Sequence, residues 1–175
     1  VQAALGRLPV IAEDLGLITP DVEVLRRRFA FPGMRVLQFA FGGGADNRFL
    51  PHYHELDSVV YPGTHDNDTT VGWWATATPH EREFAAAYLG VNGHDIAATM
   101  VRTAFASVAD TAVVAMQDLL GLDSRARMNF PGQGSGWWTW RLPPGALTAE
   151  LARLMSTLGR LYDRTPPGRL AWPRG

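Results

Sequence analysis

The sequence predicts an α/β fold with parallel strands, on three observations. Four apolar segments fall at intervals, each ending in carboxylates, glycines or hydrogen-bonding side chains. Helix or loop signals separate them, the alternation that brings strands parallel. The 175 residues, 46% hydrophobic, suffice for one domain with a core, and no second domain, internal repeat or low-complexity tract is evident.

Taken in order, Val1, Leu5 and Leu8 fall near helical spacing, so the chain opens as if a helix were already under way. With no initiator Met, it is expected to be the C-terminal piece of a longer polypeptide. The first strand-like segment, Pro9 to Ala12, ends in Glu13 and Asp14. A helix start follows in Thr19-Pro20-Asp21-Val22-Glu23: Thr19 can cap, Pro20 suits the first helical position, and the acids favour the positive end of the dipole. This helix is expected to run to Phe29. The second segment, Met34 to Phe41, ends in the run Gly42 to Gly44. The third, Val59 to Tyr61, is stopped by Pro62 and Gly63 before His65-Asp66-Asn67-Asp68. The next helix starts near Val71, Trp73 and Trp74, with Asp66 or Asp68 available to cap it. Two amphipathic helices are expected over Pro79 to Leu89 and His94 to Ser107, broken at Gly90 to Gly93. The fourth segment, Thr111 to Met116, ends in Gln117 and Asp118. From Thr165 a Pro-, Gly- and Arg-rich tail is expected to be loose, with Trp172 able to pin it.

Composition narrows the function classes. A net charge of -1 gives no field that would favour nucleic acid, a membrane surface or a charged substrate, so a neutral substrate fits best. All basic residues are Arg. Cysteine is absent, which excludes disulfides and thiolate metal sites and fits a cytoplasmic protein. No apolar run approaches the roughly 18 residues of a membrane span.

The chemistry gathers at two strand ends. Glu13 and Asp66 place two carboxylates at one rim of a parallel sheet, where paired acids suit glycosidic bond cleavage. The plainer alternative gives Asp14 a capping role and Glu13 a rim salt bridge. Trp73, Trp74, Trp137, Trp138, Trp140, Phe39, Phe41, Phe49, Tyr53 and Phe130 add aromatic surface on which the apolar faces of sugar rings stack. For any single Trp, core packing competes with that use, for Trp73 and Trp74 above all. His52-Tyr53-His54-Glu55, joined by His65 and Asp66, offers a rival metal-dependent hydrolase. Because the His pair follows Pro51 outside the strand pattern, both are expected to hydrogen-bond locally, with no metal or cofactor.

The strings PVIAEDLGLITPDVEVLR, FPGMRVLQFAF, VVYPGTHDNDTTVGWW and MQDLLGLDSRARMNFPG closely resemble the C-terminal part of bacterial 4-α-glucanotransferases, the amylomaltases or disproportionating enzymes of the α-amylase clan. The resemblance runs in order from residue 1 to about residue 160. It implies that residues 1–164 form the C-terminal half, strands five to eight, of a (β/α)8 TIM barrel, since a whole barrel takes about 250 residues. Residues 165–175 would be the tail. Glu13 then matches the general acid/base and Asp66 the carboxylate that stabilises the transition state. His65, Asp14, Phe39 and Asn129 fall at substrate-binding positions, Phe39 near the acceptor sugar and Asn129 near the donor. The nucleophile, an Asp on strand four, would lie upstream of Val1, so the N-terminal half of the same enzyme is an expected partner. Maltooligosaccharides and starch- or glycogen-type glucans are the implied substrates. Two positions depart from the pattern: Pro62 stands in place of Thr, and Trp137 in place of the Asn of GNWxWR. A non-catalytic glucan-binding fragment is the alternative for the isolated piece.

Overall fold

Val59 and Val60 lie in the central strand of a three-stranded parallel sheet. A strand flanked on both edges and covered on both faces is apolar throughout, and Ser58, Val59 and Val60 are only 0–2% exposed. The structure, a computed structural model, describes residues 10–165. Its elements are α1 (Pro20–Arg28), β1 (Gly33–Val36), β2 (Ser58–Tyr61), α2 (Thr70–Thr76), α3 (Pro79–Leu89), α4 (Ile96–Ala106), β3 (Thr111–Ala112), α5 (Met116–Leu119) and α6 (Ala149–Leu161). Short 3-10 turns stand at Leu37–Phe39, Pro51–Tyr53 and Ser124–Ala126. The sheet order is β1-β2-β3, with Met34 opposite Val59 and Val59 opposite Thr111.

The parallel arrangement agrees with the sequence, but the strands are shorter and, among the described residues, fewer. Val10 to Ala12 form no strand; one bond, from Ala12 N–H to the Pro32 carbonyl at 3.0 Å, ties them to the sheet side. Val10 and Ile11 remain 40% and 47% exposed. The segment expected to be a strand from Met34 to Phe41 is extended only to Val36, then tightens into a 3-10 turn closed by Ala40 N–H on the Leu37 carbonyl at 3.0 Å, while Gln38 N–H still bonds the Pro62 carbonyl. Thr111 to Met116 is likewise a strand for two residues, because Met116 already begins α5. The helical start at Val1 to Leu8 and the tail with Trp172 lie outside the described residues.

Helix boundaries follow the local signals more closely. Pro20 opens α1 and Phe29 ends it, although Thr19 makes no side-chain capping bond. Neither Asp66 nor Asp68 is the N-cap of α2: Thr69 is, accepting from Gly72 N–H at 3.1 Å. Asp68 accepts from Thr69 N–H and Asp118 from Thr70 N–H, each at 2.7 Å, so three neighbouring amides are satisfied. Helix α3 has the predicted bounds and a full Thr78/Glu81 capping box. Helix α4 starts at Ile96 rather than His94. Helix α6 was not anticipated, though Thr148 before apolar Leu151, Leu154, Met155 and Leu158 carries its signal. Leu37, Phe41, Leu50, Val60, Ile96 and Met100 form the main core, with Trp73 and Trp74 packed against it. Met155 and Leu158 of α6 pack with Val101 and Phe105 in a second cluster. No helix of the described residues is long and apolar enough to cross a membrane.

The loop that carries Glu13 lacks regular structure but is pinned by its neighbour. Asp14 is 1% exposed, and its Oδ1 accepts from Met34 N–H at 2.7 Å. Its Oδ2 stands 3.4 Å from Arg35, 3.6 Å from Arg48 and 3.7 Å from Arg26. Arg48 also donates to the Asp14 carbonyl. Glu23 and Glu55 complete the cluster, 3.0 Å from Arg26 and Arg27 respectively. Gly33 makes the approach possible, since a Cβ there would stand 2.5 Å from Asp14 Oδ2.

Removing one partner of a buried ion pair strands the other charge, at a cost of about 3–5 kcal/mol. Asp14→Asn is therefore expected to lower stability by about that amount in urea unfolding followed by tryptophan fluorescence; a change below about 1 kcal/mol would mean that the cluster is not what holds this loop. Asp118 gives a pH signature. Burial pushes its carboxyl above the ordinary 3.8 despite the Thr70 amide, and Asp68 adds to the rise. The folded state thus binds more protons than the unfolded one as pH rises above 3.8, and stability falls through that window. Asp118→Asn should flatten the fall in melting temperature as pH rises above 3.8, whereas a curve parallel to the wild type would remove Asp118 as its source.

Candidate active site

A cleft of about 990 Å³ opens where the three strands end, lined by Phe39 after β1, Tyr61 at the end of β2 and Val114 after β3. Glu13, His65 and Asp66 line it too. The structure thus brings together four of the residues that the sequence singles out: Glu13, Phe39, His65 and Asp66. Asp14 and Asn129 are not part of the lining.

Glu13 is exposed, and among the described residues its side chain has no hydrogen bond or ion pair. The rim salt bridge expected of Glu13 belongs instead to Asp14. That residue is buried among Arg26, Arg35 and Arg48, so it neither caps a helix nor faces the cleft. Phe39 is 40% exposed and meets Phe49 edge-on at 5.6 Å between ring centres. The Arg48 guanidinium lies over the Phe49 ring, 5.0 Å from its centroid.

Asp66 sits on a tight loop shaped by Asn67, whose Oδ1 accepts from both the amide and the hydroxyl of Thr64 at 2.9 Å. The Asp66 Oδ1 accepts from Asn129 Nδ2 at 2.6 Å and lies 3.4 Å from His65 Nε2. Its Oδ2 makes no hydrogen bond among the described residues, so one oxygen is held while the other can accept from a ligand hydroxyl. Asn129 N–H donates to the His65 carbonyl at 3.1 Å, and the Trp138 ring lies 5.1 Å from that of His65 at 41°. Trp138 takes a left-handed φ of 65° and is half exposed. Trp137, at the departing position, bonds Gln133 through its indole N–H and packs on Phe130, while Pro62 is buried.

Three contributors escaped the sequence reading. Arg127 donates to the carbonyls of Asp66 and Asn129, each at 2.7 Å. Gln38 donates to the Asp68 carbonyl at 2.9 Å. Ser124 donates to Asp68 Oδ2 at 2.7 Å. Each reaches across 30 or more residues, except that Arg127 also bonds nearby Asn129, and such long-range polar pairs leave no periodic trace. The His pair is local only in part: His52 bonds the nearby Ala45 carbonyl and His54 the nearby Phe49 carbonyl, but each also makes a long-range bond, His52 to Tyr88 and His54 to Ser107. Among the described residues no cluster of three metal-ligating side chains is found.

Comparison with known proteins places this geometry. A family model described as 4-alpha-glucanotransferase (glycoside hydrolase 77) matches residues 1–148. The chloroplastic/amyloplastic 4-alpha-glucanotransferase of Oryza sativa subsp. japonica is 52% identical over 166 residues, covering 92% of this chain and 28% of that protein. The 4-alpha-glucanotransferase of Thermus thermophilus is 49% identical, covering 94% and 34%. An amylomaltase from Streptococcus agalactiae, solved in complex with acarbose, superposes with a TM-score of 0.89 at 33% identity, over 94% of this chain and 34% of that one. The chain therefore spans about a third of the length of the relatives it matches, and within that span it belongs to the 4-alpha-glucanotransferase family.

Proposed function

We propose that this chain supplies the C-terminal half of the catalytic barrel, strands five to eight, of a retaining 4-α-glucanotransferase, residues 1–164 forming that half and 165–175 a tail. The observation that carries the reading is the meeting of Glu13 and Asp66 in one cleft at the carboxyl ends of parallel strands. The substrates would be maltooligosaccharides or starch- and glycogen-type glucans, with no metal or cofactor, in a cytoplasmic setting. Exposed Val10 and Ile11 support pairing with an upstream half, which would also bring the nucleophilic Asp.

In this mechanism the upstream carboxylate attacks the anomeric carbon of the donor glucan while Glu13 gives its proton to the departing 4-oxygen. The shortened chain leaves, and the remaining segment stays bonded to the nucleophile as a glycosyl ester. The 4-hydroxyl of an acceptor then loses its proton to the Glu13 carboxylate and attacks the anomeric carbon, restoring the α-1,4 bond and the free nucleophile. Asp66, through its uncommitted Oδ2, would accept hydrogen bonds from ring hydroxyls of the sugar under attack, strengthening as positive charge grows. Phe39 and His65 would flank the sugar. Asp14, inside the arginine cluster, acts on the loop of Glu13 rather than on substrate.

Two variants of the intact enzyme test these roles, with glucose release and chain redistribution from maltotriose as the assay. Glu13→Gln is expected to lower kcat by about 10²- to 10⁴-fold, with partial recovery on a donor whose leaving group needs no proton. Unchanged transfer would take Glu13 out of the mechanism. Asp66→Asn is expected to lower kcat by about 10²-fold or more with the melting temperature nearly unmoved, since Thr69 is the cap of α2. A destabilised variant that keeps its kcat would instead give Asp66 a structural role.

A further inference from the structure

The loop of Asp66 is fastened to the segment 127–138 from beneath, and most of the fastening converges on one side chain. Arg127 is 16% exposed. Its Nη2 donates to the Asp66 carbonyl and its Nε to the Asn129 carbonyl, both at 2.7 Å. Its Nη1 lies 3.9 Å from Asp68 Oδ2, and its guanidinium carbon stands 4.3 Å from the centroid of the Phe130 ring. Asn129 in turn grips the Asp66 carboxylate at 2.6 Å and the His65 carbonyl at 3.1 Å. The backbone of Asp66 and the residue that holds its carboxylate are thus set by the same guanidinium.

We propose that Arg127 is the positioning residue of this site, a planar fork that fixes Asn129 against Asp66 so that one carboxylate oxygen is held and the other is presented to the sugar. Asn129 acts through Asp66 and not on the donor directly. The inference rests on the glucanotransferase reading for its substrate, but its geometric core does not. A guanidinium is needed because two diverging N–H donors and a flat face are used at once, to two carbonyls and to Phe130. A lysine ammonium lacks the flat face and the rigid fork. Misplacing a reacting or stabilising group by about 1 Å costs about 10²-fold in rate, and that is the scale expected here.

The test is kinetic and structural, on the intact enzyme. Arg127→Lys and Arg127→Ala should each lower kcat on maltotriose by about 30- to 100-fold while KM changes less than about threefold. Added guanidinium ion at low millimolar levels should return part of the kcat of the Ala variant and none of that of Asp66→Asn. A Lys variant with wild-type kcat, or an Ala variant whose loss is all in KM, would overturn the proposal. A crystal structure of the Ala variant supplies the arm that does not depend on the reaction. Loss of the Asn129–Asp66 hydrogen bond supports the proposal, and its retention at under 3 Å overturns it. If the wild-type enzyme transfers no glucan, the proposed function fails, while this structural arm still decides the role of Arg127.

Discussion

Burial of the Asp14 carboxylate sets the frame on which the site is built. A buried carboxylate is tolerated only when paired, and the three arginines that pair it come from different places: Arg26 from α1, Arg35 from β1 and Arg48 from the loop after β1. The loop of residues 10–16 has almost no backbone bonding to the sheet of its own, so this ion cluster, with the Met34 amide, fixes its position. Asp14 is buried and its neighbour Glu13 lies exposed. Anchoring the first therefore aims the second into the cleft without using any bond of the second.

The wall opposite is assembled differently. There backbone carbonyls of the His65–Asp68 loop accept from Gln38, Arg127 and Asn129. Below them Asp68 takes Ser124 and the Thr69 amide, and Asp118 takes the Thr70 amide. One rim is held by charge in the interior, the other by a ladder of directed hydrogen bonds. The ladder is the more geometrically exacting, because each bond weakens steeply with angle.

What the sequence made legible follows from this division. Helices α1 and α3 were readable because local signals mark them, Pro20 after Thr19 for the first and an amphipathic run from Pro79 broken at Gly90 for the second. The parallel sense of β1, β2 and β3 followed from alternation. Strand ends were over-extended because Leu37 to Phe41 and Val113 to Met116 are largely apolar, whereas the chain tightens into a 3-10 turn at Leu37–Phe39 and α5 begins at Met116. At the site, Glu13 and Asp66 stand out in the sequence as carboxylates after apolar segments, while Phe39 and His65 come to notice as site residues through the resemblance. The resemblance puts Asp14 at a substrate-binding position, and the residues alone suggest a helix cap, whereas its carboxylate lies buried among arginines. Its three arginines lie 12, 21 and 34 residues away in sequence, and nothing local marks them as a cluster.

Close backbone approach is the last condition that the ladder needs, and it is met by the absence of a side chain. A Cβ on Gly63 would stand 2.6 Å from Gln38 Nε2, the atom that donates to the Asp68 carbonyl. Any larger residue would push Gln38 off that carbonyl, and the Gln38 amide bond to Pro62 would be strained with it. The same few residues that end β2, Pro62 and Gly63, therefore do two things. They stop the strand, and they admit the glutamine that holds the following loop. Because that loop carries His65 and Asp66, the chemistry at the strand end depends on a contact in which Gly63 contributes only room. Pro62 strengthens the arrangement from the other side: it is buried, its ring fixes φ, and its carbonyl accepts from Gln38 N–H, which keeps the chain after β1 paired to the end of β2 as far as Gln38.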